Sequence, residues 1–183
     1  MIFKRKKIFF NTLRVLYQDE NLDQLLDKKK YDLITVVSYD NLSLEKAGFQ
    51  LKHKKLANIY LDGTIEDVLN RFTRTTRQEI QKTYKIPDLI IKIADLDNEL
   101  TYRLYKDFEI AQGRKPWGAE TFGGVINFNA YYKGELIAAV PCYDLFPFLQ
   151  VRAMFSKRME TGVENRELYK IIGSATRRLI YEA

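Results

Sequence analysis

The feature that most constrains this chain is a run of strand-forming segments in its C-terminal third, separated by short turn signals. Val125–Tyr132 and Glu135–Tyr143 flank a Lys-Gly pair, which is typical of the tight turn of a β-hairpin. Phe148–Ser156 follows a turn around Asp144–Pro147. We therefore predict an antiparallel meander of three strands. Pro141 has no N–H to donate, so its strand is expected to bulge or to lie at an edge there.

Helices and further strands surround this meander. Asp97 can cap one helix, and Asn165 can begin an amphipathic helix that continues to the chain end. Apolar, β-branched segments predict buried strands at Tyr31–Tyr39 and Leu89–Ala94. This order predicts an α+β fold, in which helices pack on a mixed, mostly antiparallel sheet. We find no repeat and no linker, so a single domain is expected over all 183 residues.

The N-terminal third of the chain gives weaker signals. Short helices are predicted at Leu22–Lys28 and Asn41–Gly48, and strand segments at Phe49–Leu61. Ile8–Leu16 fits either a strand or a helix. The first residues, MIFKRKKIFF, place lysines among apolar residues. That pattern fits an edge strand protected by lysines or a segment that touches a membrane surface.

Composition excludes several classes of protein. The chain is 46% hydrophobic and 30% charged, with 9 Gly and 4 Pro, which is typical of a globular protein and not of a disordered one. The single cysteine, Cys142, excludes an intrachain disulfide and a cysteine-rich zinc site. We interpret it as a small buried hydrophobic residue. The single histidine, His53, is expected at the surface, so metal catalysis is not expected.

Charge and hydropathy bear on partners and location. The net charge of +6 favours anionic partners such as nucleotide cofactors, RNA or acidic lipids, without choosing among them. No apolar stretch approaches the length of a membrane span, and the N-terminal residues lack the architecture of a signal peptide. We therefore expect a cytoplasmic protein, with the inner membrane surface as an alternative location.

The segment RFTRTTRQEIQKTYK, Arg71–Lys85, is predicted to be a basic helix. Asp62-Gly63 makes a turn before it, and Thr64 can cap it with Asp67 three residues later, close to a capping box. The predicted buried stripe consists of Ile65, Val68, Leu69, Phe72, Thr76, Ile80 and Tyr84. A second row consists of Arg71, Arg74, Gln78 and Lys82. This row can face an anion or remain a solvated surface.

Three stretches give the chain a resemblance to a known superfamily. They are the helix with Arg77-x-x-Ile80-x-Lys82, the segment Leu100–Trp117, and the region from AYYKGELIAAVPCYDL to IIGSATRRLIYEA. The first looks like the R-x-x-I-x-K-A helix of the FemAB-like branch of the acyl-CoA N-acyltransferase (GNAT-like) superfamily. The others are similar to the helix, hairpin and final helix of that branch. The resemblance covers roughly residues 60–183 and implies a GNAT-like fold.

The resemblance implies transfer of an acyl or aminoacyl group from a carrier to an amine. The carrier is a coenzyme A thioester or aminoacyl-tRNA, and the acceptor is an envelope sugar, a peptide or a small molecule. The attacking amine must be neutral although its usual pKa is about 10, so a base must take its proton. A donor must stabilise the oxyanion, commonly a backbone N–H where central strands splay. The carrier phosphates need backbone N–H groups or Arg and Lys side chains, and no metal is implied.

The superfamily's pyrophosphate loop reads Q/R-x-x-G-x-G/A, and the nearest match here is KIIGSA, Lys170–Ala175. The resemblance therefore implies a carrier site made of Lys170, Gly173 and Ala175, together with Arg74 and Arg77 of the basic helix. A glycine and an alanine at this spacing also fit close packing within a helix.

Candidate catalytic and substrate-binding residues follow from their positions. Tyr143 and Asp144 end the second meander strand and Ser156 ends the third, so these three are expected to face one cleft. Tyr143 can donate a proton to the leaving group, and Asp144 can take one from the amine. The ordinary alternatives are a tyrosine at the core edge and an aspartate in a turn. Trp117 and Arg152 are candidate substrate-binding residues, with a packing anchor as the alternative for the tryptophan.

Superfamily members normally continue past this last helix with further strands, which do not follow here. We therefore expect a fragment, a degenerate member, or a protein whose partner supplies those strands. The last case predicts a homodimer that uses the edge at Phe148–Ser156 or the helix Asn165–Ala183. The alternative function is a non-catalytic binding or assembly module whose basic helix holds a polyanion such as RNA.

Overall fold

The computed structural model divides the chain into two compact units, Met1–Ile59 and Tyr60–Ala183. It describes residues 2–7, 10–16, 30–38, 49–50, 52, 61–145, 148–161 and 165–183. The helices predicted at Leu22–Lys28 and Asn41–Gly48 lie outside the described residues, as do His53 and most of the strand segments predicted at Phe49–Leu61. Each unit has its own sheet and its own core.

The first unit contains a 3-stranded sheet in the order β1-β2-β3. Its strands are β1 (Ile2–Lys7), β2 (Phe10–Leu16) and β3 (Leu33–Val37). The central strand β2 is antiparallel to β1 and parallel to β3. The basic N-terminal residues form a strand, β1, at one end of the described sheet, and the ambiguous segment Ile8–Leu16 contains a strand. Leu13 and Val15 are buried, whereas Leu33, expected in a buried strand, is 50% exposed.

The second unit is α+β, as predicted, and every described strand pair in it is antiparallel. Its elements are α1 (Ile65–Arg71), α2 (Arg74–Thr83), β4 (Leu89–Asp95), α3 (Asn98–Ala111), a 3-10 turn (Ala119–Phe122), β5 (Val125–Tyr132), β6 (Glu135–Leu145), β7 (Phe148–Val151), β8 (Phe155–Ser156), α4 (Arg158–Thr161) and α5 (Arg166–Glu182). The sheet order is β4-β5-β6-β7, and β8 also pairs with β6. The predicted meander is thereby confirmed, with its third strand divided into β7 and β8.

Local sequence signals set the starts of several helices. The side chains of Asp97 and Asn165 cap α3 and α5, as predicted, by accepting hydrogen bonds from backbone N–H groups of the first turn. Thr64 and Asp67 form the predicted capping box of α1. Each such cap stabilises its helix by about 1 kcal/mol.

The basic segment Arg71–Lys85 is not one helix, because the chain breaks between α1 and α2. Phe72 and Thr73 have extended backbones, with ψ angles of 151° and 153°. The Thr73 hydroxyl accepts a hydrogen bond from the backbone N–H of Thr76 at 3.3 Å. A threonine that caps the following turn competes with continuation of the preceding helix. Arg71 therefore lies on α1, apart from the rest of the predicted basic row on α2.

Helices cover both faces of the sheet of the second unit. The core under α5 includes Phe128, Val140, Cys142, Ile172 and Leu179. The core under α3 includes Leu104, Tyr105, Phe122, Leu136 and Phe155. Helix α2 packs along α5. Ile80 of α2 is buried, but Ile65 and Tyr84, expected in the same apolar stripe, are 77% and 58% exposed.

Pro141 lies in β6, a central strand, where a bulge or an edge was expected. The register shift between β5 and β6 lies at Ala130 and Tyr131, away from the proline. On the other side of β6, residues 152–154 separate β7 from β8, and the Arg152 N–H donates to the Pro141 carbonyl at 2.9 Å. The strand beside β6 is thus interrupted, between β7 and β8, at the position where Pro141 lacks an N–H donor.

Candidate functional site

The candidate site lies on the α3 face of the sheet, beside the interruption between β7 and β8. Its centre is the guanidinium of Arg152, which follows β7. The side chains around it are Tyr105, Trp117, Thr121, Phe122 and Tyr143. We call this group, including Arg152, the Arg152 cluster. It brings together Trp117, Tyr143 and Arg152, each of which the sequence analysis singled out separately.

Aromatic rings and hydroxyl groups hold the Arg152 guanidinium. Its Cζ atom lies 4.3 Å from the ring centroid of Phe122 and 4.9 Å from that of Trp117, which is within cation–π range. Nε donates to the Tyr143 hydroxyl at 3.0 Å, and Nη2 donates to Thr121 Oγ1 at 2.8 Å. Nη1 is buried and has no hydrogen-bond partner in the described part of the chain. The cluster therefore contains a buried, charged donor that its own residues do not satisfy.

The loop that carries Trp117 is fixed through its backbone. The Tyr102 hydroxyl donates to the Trp117 carbonyl at 3.0 Å, and the Trp117 N–H donates to the Tyr105 hydroxyl at 3.2 Å. The tryptophan itself is 55% exposed. Backbone groups of Trp117 thus anchor the loop on α3, while its side chain presents an aromatic surface to solvent.

Tyr143, Asp144 and Ser156 do not face one cleft, contrary to expectation. Tyr143 is buried on the α3 face, and Asp144 is exposed. The two side chains lie on opposite faces of the sheet, because successive side chains of a strand alternate. Ser156 pairs with Ala138 on β6. That pairing places it about 17 Å from Tyr143 along the strand, at about 3.4 Å per residue. Of the three candidates, the Arg152 cluster contains Tyr143 alone.

The predicted phosphate-binding match Lys170–Ala175 lies inside α5, which begins at Arg166. In the interior of an α-helix the backbone N–H groups bond to carbonyls one turn earlier, so this segment does not form a phosphate-binding loop. Gly173 and Ala175 are buried, and Lys170 is exposed. The carrier site implied by the resemblance therefore depends on side chains that approach this part of α5.

Two arginine side chains approach Gly173. A Cβ atom placed on this glycine would lie 3.5 Å from Arg158 Cζ and 3.5 Å from Arg177 Nη1. Arg158 stacks on the Tyr169 ring at 4.1 Å, and its buried Nε has no partner among the described residues. Arg177 donates to the Gly173 carbonyl at 3.1 Å and forms an ion pair with Glu79 at 2.9 Å. We call these five residues the Gly173 cluster, which combines two guanidinium groups with one carboxylate.

The other arginines expected at the carrier site lie near the break between α1 and α2. Arg77 Nη1 donates to the carbonyls of Asn70 at 2.9 Å and Phe72 at 2.8 Å, so it satisfies acceptors at the end of α1. Arg71 is held in an ion pair of 2.6 Å. Arg74 is exposed on α2. The predicted basic row is thus divided, with Arg71 on α1 and Arg74, Gln78 and Lys82 on α2.

Sequence reasoning missed a buried polar network between β4, β5 and α3. Asp95 Oδ2 accepts hydrogen bonds from the Tyr131 hydroxyl at 2.6 Å and from Asn129 Nδ2 at 3.1 Å. Asn129 Nδ2 also donates to the hydroxyl of Thr101 at 2.9 Å, and both of those residues are fully buried. Next to Asp95, Ala94 has a φ of 54°, which is strained for a residue with a Cβ. The available signal was the pair of asparagines in the strand VINFNAYY.

This network shifts the pKa values of its two acidic groups. Burial raises the pKa of Asp95, but the hydrogen bonds from Tyr131 and Asn129 outweigh it and hold the pKa of that carboxyl below its usual range. Burial and then the hydrogen bond to Asp95 raise the pKa of the Tyr131 phenol. The pair therefore remains a carboxylate and a neutral phenol over a wide range of pH.

Other parts of the described chain offer no comparable site. Cys142 is fully buried, as predicted, and burial raises the pKa of its thiol to about 12. Two surface cavities of about 320 and 330 Å³ adjoin the Glu135–Lys157 ion pair, and no residue of the Arg152 cluster lines them. Among the described residues, no group of three or more His, Cys, Asp or Glu side chains is placed to hold a metal. No described helix is long and apolar enough to cross a membrane.

Comparison with known proteins does not place this chain in a family. No protein-family model matches the sequence, and no curated protein matches it significantly. Its function must therefore be inferred from its own residues, above all from the Arg152 cluster and the Gly173 cluster.

Proposed function

We propose that the Tyr60–Ala183 unit is an N-acyltransferase domain with a GNAT-like fold of the FemAB-like branch. Its carrier is a coenzyme A thioester or aminoacyl-tRNA, and its acceptor is an amine of an envelope sugar, a peptide or a small molecule. One observation carries this proposal: Arg158 and Arg177 approach Gly173, the glycine that the resemblance assigns to the carrier's pyrophosphate.

The order of the elements supports the proposal. The basic helix α2, helix α3, the meander and helix α5 follow one another in the order of the three stretches that carry the resemblance. The neighbour of the central strand β6 is also interrupted at residues 152–154. Acyl transfer commonly uses a backbone N–H beside splayed central strands as its oxyanion donor, and this interruption is where we expect such a donor.

Charge and burial at the Gly173 cluster favour a phosphate ligand. Its two guanidinium groups exceed its single carboxylate by one charge, and within the described chain Arg158 forms no ion pair. The buried Nε of Arg158 also has no partner there. Guanidinium groups bind phosphate oxygens through short, charge-assisted hydrogen bonds. A carrier phosphate therefore supplies a partner that no described side chain gives this arginine.

The reaction requires the carrier and the amine to be held side by side. The amine nitrogen attacks the acyl carbonyl carbon, a C–N bond forms, and the C–S bond of the thioester or the C–O bond of the aminoacyl ester breaks. The proton of the amine passes to the leaving sulfur or oxygen, directly or through a base. In this scheme the Gly173 cluster fixes the carrier, and correct positioning contributes a large part of the rate.

Coenzyme A and acetyl-coenzyme A are expected to stabilise the protein against heat. At about 100 times the Kd, linkage predicts about 2.7 kcal/mol of added stability, which is a rise in Tm of about 10 °C for a unit of this size. Arg158→Gln should remove most of this rise, because it removes a guanidinium that has no other acidic partner in the described chain. Differential scanning fluorimetry measures both effects.

Arg103→Gln is the matched control, since Arg103 is an exposed arginine on α3. That variant should keep the full rise in Tm. The proposal is wrong if coenzyme A, acetyl-coenzyme A and aminoacyl-tRNA all leave the Tm of the natural chain unchanged at saturating concentrations. A rise that Arg158→Gln does not reduce would exclude the Gly173 cluster as the carrier site.

Gly173→Ala is expected to raise the free energy of unfolding by about 0.5–1 kcal/mol, because glycine inside a helix is destabilising by that amount. The added Cβ would meet its nearest neighbours at 3.5 Å, an ordinary contact. The same methyl group occupies space between the two guanidinium groups, so coenzyme A should bind the variant more weakly. Urea unfolding with and without coenzyme A measures both changes. A loss of stability without ligand would show that packing requires this glycine.

A further inference from the structure

We infer that the Arg152 cluster is a binding pocket for the carboxylate of a small organic acid, such as an amino-acid derivative or a peptide terminus. The Arg152 guanidinium is surrounded by aromatic rings and hydroxyl groups, and no carboxylate of the described residues forms an ion pair with it. A largely desolvated charge without a counter-charge is costly, and a bound anion relieves that cost. This inference does not rest on acyl transfer.

The hydrogen bonds of Arg152 leave part of its guanidinium without a partner in the described chain. Nε and one N–H of Nη2 are engaged by Tyr143 and Thr121. Nη1 makes no hydrogen bond to any residue in the described part of the chain, and Nη2 makes one, to Thr121. The outer edge of a guanidinium carries parallel N–H groups, from Nη1 and Nη2, that match the two oxygens of a carboxylate. Nη1 and the N–H of Nη2 that Thr121 does not take are therefore available to a carboxylate.

Charge and wall chemistry select a carboxylate over a phosphate. The cluster contains a single guanidinium, which balances one negative charge. Two of its walls are the buried rings of Tyr105 and Phe122, which are 4% and 1% exposed. Placing a phosphate dianion against such walls costs more desolvation than placing a carboxylate. The same rings favour an acid whose body is flat or apolar.

Access to this edge requires a side chain to move, because the cluster's own residues fill it. Trp117 is the exposed member, at 55% exposure, and its loop at residues 114–118 belongs to neither a helix nor a strand. Tyr102 and Tyr105 hold the backbone of this loop, so the indole can turn aside while the loop stays in place. A ligand is therefore expected to enter past Trp117.

The test compares N-acetylphenylalanine with N-acetylphenylalaninamide, which has the same body without the charge. The full chain is labelled with ¹⁵N, and the Nε–H resonance of Arg152 is assigned by its absence in Arg152→Lys. This resonance should shift saturably as the acid is added and should not shift with the amide. Arg152→Lys keeps the charge but loses the planar fork. Its affinity for the acid, followed by backbone amide resonances, should fall by about tenfold or more. Arg103→Lys is the matched control and should bind like the natural chain.

Three results would contradict the carboxylate site. Equal shifts with acid and amide, or undiminished binding to Arg152→Lys, overturn the inference. Inorganic phosphate that displaces the acid at equal concentration shows a general anion site and overturns the carboxylate assignment. If Arg152→Lys does not fold, Trp117→Ala serves as the second variant, because it keeps the arginine and changes an exposed residue. The inference then requires that Trp117→Ala still bind the acid more tightly than the amide. Coenzyme A binding is measured separately through Arg158, so failure at either cluster leaves the other conclusion standing.

Discussion

Replacing Phe122 with alanine is expected to lower the free energy of unfolding of the Tyr60–Ala183 unit by about 3–5 kcal/mol. Phe122 is 1% exposed. Its ring lies 5.5 Å from that of Tyr102, 5.0 Å from that of Tyr105 and 6.3 Å from that of Phe155, between ring centroids. One side chain therefore joins the 3-10 turn, α3 and β8. Its removal leaves a cavity that these fixed elements cannot close.

Urea unfolding followed by tryptophan fluorescence measures this effect, because the single tryptophan, Trp117, lies in the same unit. The matched control is Ile90→Ala, since Ile90 is 55% exposed and should change stability by no more than about 0.5 kcal/mol. A loss below about 1 kcal/mol for Phe122→Ala would mean that the aromatic cluster repacks. The Trp117 emission of the folded variant should also change, because Arg152 loses the ring 4.3 Å from its guanidinium.

The parts of the fold that the sequence predicted are those set by local interactions. The β5–β6 hairpin depends on a short turn between two apolar strands, and the starts of α3 and α5 depend on the caps Asp97 and Asn165. The division of Arg71–Lys85 could not be read from its apolar spacing, which continues through the break. The division arises at Thr73, where capping of α2 by the Thr73 hydroxyl competes with continuation of α1. The parallel pairing of β2 with β3 is a long-range contact without a local signal.

The sequence analysis named three of the six residues of the Arg152 cluster but not their convergence. Trp117, Tyr143 and Arg152 were identified, because a lone tryptophan, a strand-end tyrosine and an arginine in a strand are conspicuous. These three side chains come together because the strand beside β6 is interrupted and because α3 packs on that face of the sheet. Residue spacing in the sequence predicts neither feature. Phe122 and Thr121 resemble ordinary loop residues in the sequence. Asp144 was misplaced because strand alternation puts it on the face opposite to Tyr143.

Replacing Asp95 with alanine is expected to destabilise the same unit by about 2–4 kcal/mol at pH 7. The substitution removes the carboxylate that accepts hydrogen bonds from the Tyr131 hydroxyl and from Asn129 Nδ2. Tyr131 and Asn129 are both buried. An unsatisfied buried donor costs about 1–3 kcal/mol, and Asn129 retains its bond to the Thr101 hydroxyl. Asp107→Ala, which removes an exposed aspartate of α3, is the control and should have little effect.

The pH dependence separates this network from simple loss of packing. The pKa of Asp95 is lowered by folding, so its contribution to stability is present above about pH 4 and is lost as the pH falls through its folded value. The pKa of Tyr131 is raised by folding, so its contribution is present below about pH 10 and is lost as the pH rises above that value. The difference in unfolding free energy between the natural chain and Asp95→Ala should therefore be largest between these limits and should narrow on both sides. Urea unfolding at a series of pH values measures it, and a difference that stays constant from pH 3 to pH 11 would show that the carboxylate acts only by filling space.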